Sequence, residues 1–253
     1  MSWQGVIQRS EDIYKTHSVP ATYCAGHPIG IIAVDIEYPK LPGNVANATT
    51  FDFPVLYKKV KFDIELLFVG SPEIEDQIIS AAKELEEEGV RAIVGACGYF
   101  AHFQKQVAEA VKVPVFLSSL CQIPLIKLGL NPHQKIAVFA ASGEDLNDTL
   151  LHKVGADSKD CIVENVGKLE SFAPIRWGKT ELDNDRLTKD LVKLSQKLII
   201  EHPEIGAILL ECSDLPPYAC DIQGATGLPV FDFITLINWV KQAVVQKRYF
   251  GYF

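Results

Sequence analysis

Two apolar runs that each end in a cysteine most constrain how this chain can fold. The run from Arg91 to Ala101, RAIVGACGYFA, reaches Cys97 and then a glycine where a helical pattern begins. The run from Ile208 to Ala219, ILLECSDLPPYA, places Cys212 in the same way. An apolar run followed by helical spacing is typical of a buried parallel strand that leads into a helix. The repeat predicts two similar halves that face each other across a cleft, with one cysteine on each side.

Strand and helix patterns alternate along both halves of the chain. Apolar runs predict strands at residues 29–35, 55–61, 91–97, 113–117, 135–141, 161–166, 207–212 and 229–231. Helical spacing predicts helices at residues 74–85, 185–201 and 234–246, after each cysteine, and from about residue 145. This alternation predicts an α/β fold of two pseudo-symmetric parallel-sheet domains with the active-site cleft between them.

The domain boundaries follow from the point at which the pattern restarts. We assign residues 1–130 and 232–253 to a first α/β domain on the Cys97 side, in which residues 1–27 form an N-terminal arm. Residues 131–231 form a second α/β domain on the Cys212 side.

Composition and charge narrow the function classes. The 253 residues are 48% hydrophobic with a net charge of −8, which is typical of a soluble globular protein and argues against nucleic acid or an anionic membrane as a partner. No apolar run approaches the roughly 20 residues that cross a bilayer. The first 27 residues lack the apolar core of a secretory signal, so a cytoplasmic location is expected. The six cysteines have no zinc spacing; they are expected to be reduced, and no metal site is predicted.

Polar side chains follow the ends of the predicted strands, where open parallel sheets hold their ligands. Asp35 follows the first strand and Asp214 follows Cys212, and we predict that each holds or activates a cysteine. The loop at residues 36–54 is longer than most connections in a compact domain, which favours a binding role. The predicted substrate-binding residues from these segments are Asn44, Asn47, Thr49, Ser118, Ser119, Ser142 and Ser213.

Several of these residues have a structural alternative. Ser118, Ser119 and Asp214 are residue types that cap helix N-termini. Asn44 and Asn47 are of a type that commonly forms turns.

Two thiols on opposite sides of a cleft suit proton transfer at a carbon acid. One thiolate removes a proton from one face of a stereocentre while the opposing thiol donates a proton to the other face, so the centre is inverted. A helix N-terminus moves a thiol pKa from about 8.5 toward neutrality. Helix N–H groups and serine hydroxyls would stabilise the enolate-like charge that develops.

The chain resembles the aspartate/glutamate racemase superfamily from about Pro28 onward, through GACGYF around Cys97, ECSDLPPYA around Cys212 and the carboxyl-terminal GLPVFDFITL. That superfamily also includes hydantoin and allantoin racemases, maleate isomerases and arylmalonate decarboxylases. The resemblance implies a two-domain α/β fold, no cofactor, a homodimer, and a cysteine pair that works by the two-base route with Asp35 assisting the first cysteine. Amino-acid racemases place Asn-Thr after that cysteine to grip the substrate. Gly98 and Tyr99 stand there in this chain and are assigned to substrate binding, and the change argues against aspartate and glutamate as substrates.

We therefore predict a cofactor-independent isomerase of amino acid metabolism. It would be a racemase or epimerase that acts on a small carboxylate, amino acid or hydantoin-like substrate. One alternative is an isomerase or decarboxylase of the same superfamily that uses a single cysteine. Another is a catalytically inactive two-lobed ligand-binding protein that has kept the fold.

Overall fold

The computed structural model describes residues 23–253, so most of the predicted arm at residues 1–27 lies outside the described residues. The strands are β1 (Ile29–Val34), β2 (Val55–Val60), β3 (Ala92–Gly95), β4 (Val115–Phe116), β5 (Lys135–Ala140), β6 (Cys161–Asn165), β7 (Ile205–Leu210) and β8 (Val230–Phe231). The α-helices are α1 (Ile64–Phe68), α2 (Glu75–Glu87), α3 (Gln104–Ala110), α4 (Ile123–Gly129), α5 (Asp148–Lys153), α6 (Ala173–Arg176), α7 (Asn184–Glu201), α8 (Ala219–Thr226) and α9 (Phe233–Val244). Every predicted strand is present, whereas the short helices α1, α4 and α6 were not predicted.

The strands form two parallel sheets with the same internal order. The first sheet runs β2-β1-β3-β4 and the second runs β6-β5-β7-β8. All neighbouring strands within each sheet are parallel. The α/β fold with two parallel sheets is thus confirmed, and each cysteine follows the third strand of its own half.

The first sheet is buried on both faces because its side chains alternate between two apolar clusters. On β3, Ile93 belongs to a large cluster that extends into the second half, whereas Ala92 and Val94 face a smaller one. The smaller cluster contains Phe233, Leu236, Ile237 and Val240 of α9. The last helix therefore packs on the first sheet although it follows the second sheet in sequence.

Contacts between the halves bring the carboxyl ends of the two sheets together. The loop after β1 reaches the segment after β7, where the Val45 amide donates to the Ser213 carbonyl at 3.3 Å. The Ser213 hydroxyl donates in turn to the Ala96 carbonyl, after β3, at 2.8 Å. Within residues 23–253, no helix is long and apolar enough to span a membrane.

The segments that follow the two cysteines differ from the prediction. A 3-10 helix, Gly98–Phe103, follows Cys97 and precedes α3. After Cys212 come a turn and the 3-10 helix Pro216–Tyr218. A helix thus begins directly after Cys97, as predicted, although it is a 3-10 helix. A turn separates Cys212 from the next helix, so the predicted helix N-terminus directly after that thiol is absent.

Candidate active site

Cys97 and Cys212 line one cavity between the two halves. Residues at the ends of three central strands contribute to it, including Val34, Ala96 and Ala141. Apolar side chains form much of its wall, namely Ile64, Phe68, Phe172 and Ile175. Its polar lining residues are Tyr38, Lys40, Arg176, Ser213 and Asp214.

The end of the cavity near Cys212 is built around the carboxylate of Asp214. The Cys212 thiol donates to Oδ2 of Asp214 at 3.4 Å. The Tyr38 hydroxyl donates to Oδ1 at 2.7 Å, and the Asn44 amide donates to the same oxygen. Burial raises the pKa of Asp214, and the bonds from Tyr38, Cys212 and Asn44 act in the opposite direction. Hydrogen bonds of this kind favour the charged form of the carboxyl group and so oppose the effect of burial.

The guanidinium of Arg176 gives the cavity a cationic side. Its Nη2 pairs with Oε1 of Glu65 at 2.7 Å, and its plane lies over the rings of Phe68 and Trp177, 4.5 Å from each centroid. Its Nη1 is buried and has no hydrogen-bond partner among residues 23–253. A buried charged donor without an acceptor is costly. Because Arg176 lines the cavity and a guanidinium pairs well with carboxylates, this side of the cavity suits an anionic group.

Burial raises the pKa of both thiols well above the ordinary cysteine value. For Cys97, the charge of Glu211 adds to this effect, whereas the Tyr99 amide and the Arg176 cation lower the pKa. For Cys212, Asp214 and Glu211 both add to the effect of burial. The expectation that local structure lowers both pKa values is therefore wrong. A ligand that carries positive charge into the cavity would favour the thiolate.

Of the two carboxylates predicted to be catalytic, Asp214 lines the cavity and Asp35 does not. Asp214 contacts Cys212, as described above, and its carboxylate serves this contact instead of a helix cap. Asp35 does not line the cavity; its carboxylate pairs with Lys59 of the edge strand β2 at 3.0 Å. The structure therefore corrects the prediction that Asp35 assists Cys97. The carboxyl groups whose charge raises the pKa of Cys97 are Glu211 and Asp214.

The predicted residues of the long loop are used mainly within the protein. Asn44 is buried and reaches the site through Asp214. Asn47 accepts from the Thr49 amide at 2.9 Å and donates to the Lys40 carbonyl at 2.9 Å. Thr49 is exposed and its hydroxyl donates back to Asn47. Turn formation therefore accounts for Asn47 and Thr49, which do not line the cavity.

Of the predicted serines, Ser213 alone lines the cavity in the described part of the chain. Ser118 caps the next 3-10 helix by accepting from the Leu120 amide at 3.1 Å, which was the alternative assignment. Ser119 donates to the carbonyls of Leu210 and Glu211, and the Ser142 hydroxyl donates to Asp145 at 2.5 Å. These three hydroxyls are committed to protein contacts.

Gly98 and Tyr99 are also absent from the cavity lining. Gly98 packs against the side chain of Glu211. Tyr99 is fully buried; its hydroxyl accepts from the Ser142 amide at 3.1 Å and donates to the Ser142 carbonyl. The structure corrects the assignment of both residues to substrate binding, because their side-chain positions are filled by contacts between the two halves.

Four residues near the thiols were missed in the sequence. Glu211 precedes Cys212 directly, so its place at a strand end was visible. Tyr38 and Lys40 lie in the long loop that was singled out. Arg176 lies on α6, where no periodic pattern marked a helix. No cluster of three or more His, Cys, Asp or Glu residues in the described chain could hold a metal ion.

Comparison with solved structures places this fold among known enzymes. A mutant of arylmalonate decarboxylase matches with a TM-score of 0.55 and 19% identity, covering 85% of this chain and 92% of that one. Allantoin racemase from Pseudomonas fluorescens matches with a TM-score of 0.53 and 16% identity, covering 85% and 89%. An aspartate racemase homologue from Pyrococcus horikoshii OT3 matches with a TM-score of 0.51 and 20% identity, covering 84% and 98%. These likenesses show the fold alone: the chain has the fold that the resemblance to the aspartate/glutamate racemases implied.

Sequence relatives give a different enzyme class. No protein-family model matches the chain. A dimethylsulfoniopropionate lyase of Durusdinium sp. clade D is 34% identical over 232 residues, which cover 88% of this chain and 77% of the relative. Dimethylsulfoniopropionate lyase 3 of Emiliania huxleyi is 34% identical over 240 residues, which cover 90% of this chain and 62% of the relative. Because these relatives are lyases, the prediction of an isomerase is wrong. The chain belongs to the family of the dimethylsulfoniopropionate lyases.

Proposed function

We propose that this protein is a lyase that splits dimethylsulfoniopropionate into dimethyl sulfide and acrylate. The observation that carries the proposal is a cavity lined by two thiols, by the cation of Arg176 and by the carboxyl group of Asp214, which contacts Cys212. The names of the sequence relatives supply the substrate. A zwitterion with a carboxylate at one end and a sulfonium at the other matches the charges of this cavity.

The two charged groups of the substrate each have a partner. The carboxylate binds the free Nη1 of Arg176, whose position is fixed by Glu65 and the ring of Phe68. The sulfonium lies toward Asp214, where opposite charge stabilises it in a site shielded from water. The apolar wall provided by Phe172 and Ile175 suits its two methyl groups.

Cys97 is the base in this proposal. Burial raises the pKa of Cys97, but the Tyr99 amide and the Arg176 cation offset part of that rise, whereas the Cys212 thiol donates to Asp214 and is held protonated. The incoming sulfonium adds a positive charge that offsets the effect of burial on the Cys97 thiolate. Substrate binding and activation of the base are thereby coupled.

The elimination needs one base and one leaving group. The Cys97 thiolate removes a proton from the carbon next to the carboxylate, and the electrons of that C–H bond form the double bond of acrylate. The carbon–sulfur bond breaks, and its electron pair leaves with the sulfur as neutral dimethyl sulfide. Cys97 then releases its proton to solvent. Arg176 stabilises the charge that develops on the carboxylate as the proton leaves.

Turnover of dimethylsulfoniopropionate tests this function directly. We expect dimethyl sulfide, measured by gas chromatography, and acrylate, measured by proton NMR, to appear in equal amounts. The thioether analogue 3-(methylthio)propionate should not react, because it keeps the carboxylate but lacks both the sulfonium cation and a good leaving group. Absence of dimethyl sulfide from the folded protein at saturating substrate would refute the proposal.

A further inference from the structure

Glu211 is a buried carboxyl group whose charge reaches both thiols although its side chain does not line the cavity. It follows β7, directly precedes Cys212, and has no exposed surface. Its Oε2 accepts from the Ala141 amide at 3.2 Å. Its Oε1 is buried and finds no hydrogen-bond partner in the described part of the chain. A carboxyl group in this position requires an explanation, because an unmet buried polar atom is costly.

Gly98, the residue after Cys97, leaves space for the carboxyl group of Glu211. A Cβ atom added to Gly98 would lie 2.6 Å from Cγ of Glu211 and closer still to its carboxyl atoms. The φ angle of Gly98 is not in the left-handed region, so lack of space and not backbone conformation demands glycine here. Gly98 and Glu211 therefore form a matched pair that joins the two cysteine segments.

The protonation of Glu211 affects both thiols. Its pKa is raised to about 8: burial raises it most, the Ala141 amide opposes this rise, and the charge of Asp214 adds to it. Its negative charge in turn raises the pKa of Cys97, Cys212 and Tyr99. Below about pH 8 Glu211 is therefore mostly neutral and adds no charge beside Cys97, whereas at higher pH its charge adds to the effect of burial and opposes the thiolate.

We propose that Glu211 is a positioning residue for Cys97. Its neutral carboxyl group packs against Gly98 and holds the Cys97 segment in place, and its ionised form disfavours the Cys97 thiolate. The inference rests on the proposed function only for the statement that Cys97 is the base. It adds an upper pH limit to that function, set by a group that does not touch the substrate. It also explains why Gly98 stands where the racemases carry a substrate-binding asparagine.

Alkylation of Cys97 measures the suppression without any substrate. The native protein and Glu211→Gln are treated with iodoacetamide from pH 6 to 10, and the tryptic peptide of residues 92–105, whose one cysteine is Cys97, is quantified by mass spectrometry. We expect similar rates below about pH 7 and, above pH 8, a rate about tenfold higher in Glu211→Gln, corresponding to about one pKa unit. Glu181→Gln, in an exposed loop, is the control and should follow the native profile.

Either of two outcomes overturns the proposal: coincident profiles of native protein and Glu211→Gln at all pH values, or slower alkylation of the variant above pH 8. Because no substrate is present, the result is independent of whether dimethylsulfoniopropionate is turned over. The two proposals can therefore fail separately.

Thermal unfolding tests the seating of the Cys97 segment. Gly98→Ala should lower Tm by roughly 4–8 °C, the effect of overpacking in a protein of this size. In the Glu211→Ala background the atoms that obstruct the new methyl group are gone, so the same substitution should lower Tm by less than half as much. Gly129→Ala, where an added Cβ has open space, is the control and should not lower Tm. An equal effect of Gly98→Ala in both backgrounds would contradict the pairing.

Discussion

Replacing Cys97 by serine is expected to lower the rate of dimethyl sulfide release by about 10²–10⁴-fold, the usual contribution of a general base. A serine hydroxyl is nearly isosteric with the thiol but ionises far less readily, so substrate binding through Arg176 should persist. The measurement is kcat and KM from gas chromatography, and we expect the loss to fall on kcat.

Cys212→Ser serves as the comparison within the same cavity. Its thiol donates to Asp214 and a hydroxyl can do the same, so the expected loss is smaller than for Cys97→Ser. Cys220→Ser, at an exposed free cysteine, is the control outside the site and should retain native kcat. If Cys212→Ser is the more damaging change, Cys212 and not Cys97 is the base.

Replacing Arg176 by methionine is expected to lower kcat/KM by roughly 10²–10³-fold, because truncating one partner of a buried charge pair commonly costs a few kcal/mol. Methionine keeps an apolar stem near Phe68 while removing the charge. KM should rise through loss of the carboxylate contact. The pKa of Cys97 should rise as well, because the guanidinium that lowers it is gone.

The control for this variant is Arg186→Met, at an exposed arginine of α7 that pairs with Glu170 on the surface. It should leave kcat/KM within a factor of two of native, since exposed ion pairs contribute little. Arg176→Lys should recover part of the loss by restoring the charge without the planar fork. An unchanged kcat/KM in Arg176→Met would show that the substrate carboxylate binds elsewhere.

A pair of thiols at a carbon acid serves more than one reaction class, which is why the isomerase prediction failed. Proton removal is common to racemisation and to elimination, and the cysteines specify only that step. The fate of the resulting carbanion depends on the other groups in the cavity and on the substrate. Of the two charged residues in the cavity, Arg176 lies on α6 and Asp214 lies in the turn after β7. The helix α6 is too short to show a helical pattern in the sequence, so the sequence did not point to Arg176.

Asp35 illustrates a second limit of sequence reasoning. The carboxyl end of β1 lies between β2 and β3, so a side chain there has a neighbour on each side. Hydrophobic periodicity located that strand end correctly, but it does not show whether the side chain of Asp35 turns toward β2 or toward β3. Lys59 of β2 provides the opposite charge, and Asp35 pairs with it instead of turning toward Cys97.

The sequence by itself determined the alternation of strands and helices, the two parallel halves and the placement of both cysteines at strand ends. It did so because apolar periodicity and strand order are local or nearly local properties. Tertiary structure alone decided which side chains meet in the cavity. The fit of Gly98 against Glu211, the free Nη1 of Arg176 and the burial that raises both thiol pKa values each depend on residues far apart in the chain. The stretch around Cys97 therefore predicted a proton-transfer site, and only its packing against the second half showed which groups surround that thiol.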